Sequence, residues 1–233
     1  KKKKTNMIKS LQEGATIQDM VDLLKTDGVF KVKDYVQGDL LADLHTTVLD
    51  LCQTQGNHYE FGRNYANTKG LNKYSTSSPI YQVYDEEWMR YLHSTYMGSS
   101  AGYCSEVFAT YDYESNKGLT NNGWLHFDRQ NRLKFFIYLT DIDTSNGAFW
   151  CCPTSREKGK ELRQHGWATA PNPQQDIPNK IDRDFQELMK EYPPIPVEAS
   201  AGTLIVFDTD TFHKGGQCEE NKSRLVVRAH CKV

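Results

Sequence analysis

The sequence predicts an α+β chain: helices in its first hundred residues, then a β-sandwich or jelly roll. Two observations carry this. Apolar residues recur at helical spacing up to about residue 96, and after residue 102 the period shortens to short β-branched or aromatic runs separated by turns. A third narrows it: there is no strand–helix–strand alternation, no glycine-rich phosphate loop and no internal repeat, which argues against doubly wound and solenoid folds.

The elements follow in order. Ile17, Met20, Val21 and Leu24 make one helical stripe, with Thr16 placed to cap it and Asp27-Gly28 to stop it. "VFKVKDYV" reads as a short strand. Leu40, Leu41, Leu44, Val48 and Leu51 share a face of a second helix, and Trp88, Met89, Leu92 and Tyr96 line a third over 85–96. Between them, 54–79 is polar, rich in Gly, Asn, Ser and Tyr, and without a period; it reads as a surface loop or as a cover over an active site. "YCSEVFATYDY", "RLKFFIYL", "GAFWCCP", "GTLIVFD" and "RLVVRAHC" read as strands. In this half a helical turn is expected near 155–163 and a helix over 180–191. We expect one domain over 1–233, with 1–100 as helical support and lid segment and 101–233 as the jelly-roll core.

Composition excludes several function classes. The 233 residues are 38% hydrophobic and 25% charged with a net charge of −2, as in a globular enzyme and unlike a nucleic-acid-binding or disordered chain. The Lys1–Lys4 run reads as a solvated tail. No apolar run approaches the ~20 residues of a membrane helix, and no signal-peptide pattern opens the chain. The six cysteines form no CxxC spacing and read as reduced thiols, which places the protein in a reducing, cytoplasmic compartment. No nucleic-acid or membrane partner is expected.

The chemistry concentrates in "GWLHFDRQN". In extended chain, residues i and i+2 point to one face, so His126 and Asp128 converge. Alone, the pair is more often a structural hydrogen bond than a ligand set. "GTLIVFDTDTFHKGG" supplies a third group, His213. Two histidines and a carboxylate on one face, with open positions opposite, form the facial triad of non-haem Fe(II) oxygenases. Eleven residues after His213, Arg224 opens a strand on which Val226, Arg228 and His230 share its face. An arginine inside a barrel needs an anion, and its fork binds a carboxylate through two parallel bonds. Lys134 and Tyr138 share a face of the preceding strand with Phe136. They line the pocket or face solvent, and the apolar Ile137 and Leu139 beside Tyr138 favour the pocket. His45, His58, His93, His165 and His230 show no partner pattern and read as surface or core residues.

This set resembles the 2-oxoglutarate-dependent Fe(II) oxygenases, in particular the phytanoyl-CoA dioxygenase-like branch. The resemblance extends through "LKFFIYLTDIDTSNGAFWCCPTSRE", "AGTLIVFDTDTFHKGG" and "LLKTDGVFKVKDYV" and breaks down in 54–79 and 164–180. It implies a double-stranded β-helix (jelly roll) core, with His126, Asp128 and His213 as metal ligands and Arg224 as the residue that binds 2-oxoglutarate. It also implies a small-molecule substrate, O2 as co-substrate, and hydroxylation or a related C–H oxidation with release of succinate and CO2. Halogenating relatives carry a small residue where Asp128 stands. Thr154 and Arg156 depart from the usual Gly and His, and Phe127 from a frequent Gln; these positions are expected to border the pocket. The divergent segments 54–79 and 164–180 are expected to form an entrance suited to a polar substrate. Two other classes remain open at this point. One is a non-catalytic barrel module, which would not need four converging polar groups. The other is a cupin-like metalloenzyme without 2-oxoglutarate, which would not need Arg224.

Overall fold

The structure, a computed structural model, describes residues 7–59, 63–67, 70–113 and 123–232. It is the α+β jelly roll the sequence predicts, with helices against one face of a large antiparallel sheet.

The first helix, α1 (Ile17–Thr26), starts where Thr16 and Asp19 cap each other: the Asp19 amide donates to Thr16 Oγ1 at 3.2 Å and the Thr16 amide to Asp19 Oδ2 at 2.8 Å. It stops at Gly28, whose φ of +78° is the left-handed conformation that glycine adopts freely. Strand β1 (Val29–Val32) is shorter than the apolar run because the chain turns at Asp34, φ +53°. Then come α2 (Gly38–Gln55), β2 (Asn57–Tyr59), β3 (Arg63–Asn67), a 3-10 turn at Leu71–Lys73, α3 (Pro79–Tyr84) and α4 (Glu87–Met97). The strands continue with β4 (Glu106–Tyr113), β5 (Leu133–Tyr138) and β6 (Phe149–Cys151). After α5 (Arg156–Thr169) come β7 (Ile195–Val197), β8 (Leu204–Asp208), β9 (His213–Lys214) and β10 (Ser223–Cys231).

Seven strands form the large sheet in the order β1-β8-β5-β10-β4-β3-β2, and β7-β6-β9 form a small sheet. Isolated bridges His126–His213, Asn146–Cys218 and Ile142–Ala199 extend the small sheet. Alternation along β5 and β10 sorts their side chains. Leu133, Phe135, Ile137, Leu225, Val227 and Ala229 face the helices. Phe136, Tyr138 and Val226 face inward between the sheets, with Phe149, Ile205 and Phe207. This is the expected division, with Ile137 and Leu139 on the layer opposite Tyr138. A third cluster, Leu125, Phe127, Cys152, Ile177, Ile181 and Phe212, packs outside the small sheet. Cys151 and Cys152 point to different clusters, and none of the six buried cysteines is in a disulfide.

Three local expectations change. The turn near 155–163 is the 14-residue helix α5, which runs into the segment expected as an entrance loop. The helix expected over 180–191 is two single turns, Ile181–Asp184 and Leu188–Glu191; the backbone leaves the helix at Phe185 (φ −145°, ψ 47°), while Ile181, Phe185, Leu188 and Met189 still share the third cluster. Within 54–79, β2 and β3 add to the edge of the large sheet, so this segment is in part a hairpin and not a free loop; 60–62 and 68–69 lie outside the described residues. Lys1–Lys4 also lie outside them. Among the described residues no helix is long and apolar enough to cross a membrane.

Candidate metal centre

His126, Asp128 and His213 meet at the mouth between the two sheets, their ligand atoms all within 4.8 Å of one another. Among the described residues this is the single cluster of His, Cys, Asp or Glu with metal-binding spacing. Backbone pairing brings the two segments together. The His126 amide donates to the His213 carbonyl at 2.9 Å, the reverse bond is 2.8 Å, and the Asp128 amide donates to Thr209 O at 2.9 Å. Phe127, between the two ligands, points the other way and stacks 6.4 Å from Phe212 in the outer cluster. Alternation thus anchors the ligand segment from behind while presenting its imidazole and carboxylate inward.

Each imidazole is oriented through its other nitrogen. His126 Nδ1 lies 2.6 Å from Trp124 O and His213 Nδ1 lies 2.7 Å from Thr211 O. A carbonyl can only accept, so each Nδ1 donates its proton outward and each Nε2 is the atom turned to the centre. Burial, followed by the neighbouring His126, pushes the His213 imidazole down to about 4, so it stays neutral and able to ligate. Asp128 Oδ1 stands 3.6 and 3.5 Å from the two Nε2 atoms, and Oδ2 takes Lys134 Nζ at 2.7 Å. Burial alone would raise the Asp128 carboxyl; Lys134 holds it well below the usual carboxylate range. Two imidazole nitrogens and an ionised oxygen fit a divalent iron on three adjacent positions.

The loop that delivers His213 is braced from several sides. Arg163 from α5 forks onto buried Asp210, with Nε–Oδ1 2.6 Å and Nη2–Oδ2 2.8 Å. Ser155 Oγ accepts from the Phe212 amide at 2.8 Å, and Thr211 Oγ1 donates to Gly28 O at 3.2 Å. A Cβ on Gly28 would lie 2.0 Å from Thr211 Oγ1, so the helix stop also lets this loop approach. Two expected pocket positions turn out to serve this framework. Arg156 donates to fully buried Asp208 at 2.8 Å and lies over the Tyr96 ring, on the helix side of the sheet. Thr154 sits at φ +72°, the conformation the usual glycine would take without strain.

Lys134 is buried on the inner face, and its ammonium contacts the Asp128 carboxylate. Tyr138 is fully buried on the same face; its hydroxyl donates to Val197 O and accepts from the Phe149 amide, both at 3.0 Å, joining the large sheet to the small one. His230, read as surface or core, is in the interior against Phe108 at 4.7 Å. His93 is core, its Nε2 bonded to Lys232 O at 2.9 Å.

Arg224 is buried on the inner face, but not at the metal end of its strand. His230 pairs with Lys134 and Arg228 with Phe136, while Arg224 lies across from Asp112 at the far end. Nearness to His213 in sequence does not place Arg224 beside the metal loop: the chain leaves His213, turns at the opposite rim and returns along β10. Arg224 Nε bonds Asp112 Oδ2 at 3.0 Å, Nη2 bonds the same oxygen, and Nη1 bonds Gly147 O. The Asn146-Gly147 turn is built for this contact. Asn146 accepts from the Asp143 amide and donates to Asp141 O, both at 2.7 Å, and so fixes the Gly147 carbonyl. Arg228 lies over the rings of Phe108 and Phe136, at 5.1 and 5.6 Å. On β4, Thr110 faces inward between the Asp112 and Phe108 rows, and its buried hydroxyl has no hydrogen-bond partner among the described residues.

Sequence reasoning missed Asp112, Thr110 and the Lys134–Asp128 contact. The inward alternation of Phe108, Thr110 and Asp112 in "EVFATYDY" was the available signal.

A jelly roll with an inward His-x-Asp…His triad is the arrangement found in mononuclear non-haem iron enzymes. The profile of the phytanoyl-CoA dioxygenase family (PhyH) matches residues 119–226, and the chain is phytanoyl-CoA dioxygenase-like in fold and metal site. No curated protein matches it in sequence. The epimerase SnoN, solved with Fe3+, alpha ketoglutarate and nogalamycin RO, superposes with a TM-score of 0.64 at 14% identity, over 93% of this chain and 83% of that one. SnoK, described as a non-heme alpha ketoglutarate dependent carbocyclase from nogalamycin biosynthesis, gives 0.63 at 13% identity, over 94% and 85%. EctD from S. alaskensis, in its apoform, gives 0.60 at 12% identity, over 97% and 81%.

Proposed function

We propose that this protein is an Fe(II)- and 2-oxoglutarate-dependent oxygenase that hydroxylates a C–H bond of a small, polar molecule. The observation that carries this is the triad: two imidazoles anchored through Nδ1 with Nε2 turned inward and one ionised carboxylate, on one side of a buried mouth. His126, Asp128 and His213 would hold the iron, and Arg224 the distal carboxylate of 2-oxoglutarate. Thr110 supports a polar ligand in the interior, because a buried hydroxyl without a partner is costly and a ligand oxygen would satisfy it. When bound, iron and 2-oxoglutarate supply the oxidising power for C–H oxidation with O2, releasing succinate and CO2.

The chain's own residues do the rest. Lys134 keeps Asp128 ionised and occupies one of its oxygens, so the carboxylate offers the other. Phe149 and Phe207 flank the His213 ring at 5.9 and 5.1 Å and exclude water from its inner side. Asp128 fills the position that a halide would need, which favours hydroxylation. Epimerisation and ring closure are the other outcomes for such a site.

Anaerobic addition of Fe(II) and 2-oxoglutarate tests the reading. We expect a weak visible charge-transfer band, and succinate release stimulated by the correct metabolite in air. Iron binding without the band would instead favour a metalloenzyme of another kind, and no iron binding a barrel module. Product mass separates the outcomes: one oxygen heavier for hydroxylation, unchanged for epimerisation, two hydrogens lighter for ring closure.

A further inference from the structure

We propose that Asp112 is a built-in competitor for the co-substrate arginine, lowering this protein's preference for a dicarboxylate over a 2-oxo acid with no distal charge. The inference rests on the reading of Arg224 as the co-substrate arginine and adds a residue that tunes it. Arg224 and Asp112 are direct cross-strand partners on β10 and β4, with both side chains only 8% exposed. A buried guanidinium must have a counterion. Without ligand, Asp112 supplies it through Nε and Nη2, while Gly147 O takes Nη1. Every nitrogen of the fork is therefore engaged before any ligand arrives.

A distal carboxylate entering here has two ways to bind. It can displace Asp112, whose carboxylate then gives up the guanidinium in a buried setting. Alternatively, it can share the guanidinium, which places two carboxylates side by side. Either way, part of the gain from the new pair is offset by the old one. A 2-oxo acid of the same length without the second carboxylate, 2-oxopentanoate, leaves the Arg224–Asp112 pair intact and carries no such cost. Thr110, one inward position along β4, offers its hydroxyl equally to either ligand.

The test compares 2-oxoglutarate with 2-oxopentanoate on the anaerobic Fe(II) protein, by titration of the charge-transfer band and by the rise in unfolding temperature. In the wild type, 2-oxoglutarate should bind less than about tenfold more tightly than 2-oxopentanoate, the scale of one charge-assisted pair. In Asp112→Asn the preference should rise to about hundredfold, because Arg224 is left with a neutral partner. The same variant should be less stable without ligand and recover more on adding 2-oxoglutarate than the wild type does. Asp112→Ser serves as a second variant with the charge removed. A wild-type preference already near hundredfold, or weaker 2-oxoglutarate binding in both variants, would overturn the proposal. Arg224→Ala separates the two layers. If it leaves 2-oxoglutarate binding intact, the Arg224 reading itself fails. If it abolishes binding while the Asp112 variants change nothing, only the competitor falls.

Discussion

Lys134 and Asp128 are joined by a 2.7 Å contact that divides the carboxylate: Oδ2 goes to the ammonium, and Oδ1 faces both imidazoles. Desolvation would lower the Lys134 ammonium and raise the Asp128 carboxyl, so each keeps its charge chiefly through the other. Lys134→Met preserves the length of the side chain and removes the charge. Iron affinity should fall by about 10- to 100-fold, the usual range for losing a partner that orients a ligand. Anaerobic Fe(II) titration measures it; an unchanged affinity would mean Lys134 only fills space.

Arg163 should matter at a distance from the iron. Its bidentate pair with Asp210, which is 1% exposed, ties α5 to the loop carrying His213. Arg163→Ala leaves a buried carboxylate unpaired and should cost about 3–5 kcal/mol of unfolding free energy. Denaturant unfolding of the metal-free protein checks this. The Arg163→Ala/Asp210→Asn double variant should lose less than the single one.

Thr154 should be a stabilising target. A β-branched residue at φ +72° carries left-handed strain of about 1–2 kcal/mol that glycine lacks. After the entropic cost of glycine, Thr154→Gly should gain about 1 kcal/mol, read as a higher Tm. A lower Tm would show that the threonine side chain outweighs its backbone.

Acid should destabilise the fold through its buried neutral histidines. Burial lowers His93, and burial together with Lys134 and Arg228 lowers His230 well below the ordinary imidazole range. Both are deprotonated in the fold, whereas in the unfolded chain they take up protons near pH 6.5. Stability is therefore fully present above that pH and falls below it, by up to about 1.4 kcal/mol per pH unit for each group. Unfolding between pH 7 and 5 measures the slope, and His93→Gln should flatten it.

The helices and the ligand set were legible because each rests on a local rule. The Thr16 cap, the Gly28 stop and the i+2 convergence of His126 and Asp128 are set by residues close in sequence. What the sequence hid depends on contacts across the chain. Asp112 meets Arg224 only because β4 and β10 pair in one register. Arg156 turns away from the mouth because Asp208 and Tyr96 wait on the other face of the sheet. The position of Arg224 along the barrel depends on where the loop after His213 reverses, which residue spacing alone does not state.

The account stands or falls on the triad. Anaerobic Fe(II) titration of the wild type, His213→Ala and Asp128→Ala, each with circular dichroism to confirm folding, tests it most directly. One Fe(II) per chain in the wild type, and loss of tight binding in both folded variants, is the predicted result. Stoichiometric iron retained by folded His213→Ala would contradict it.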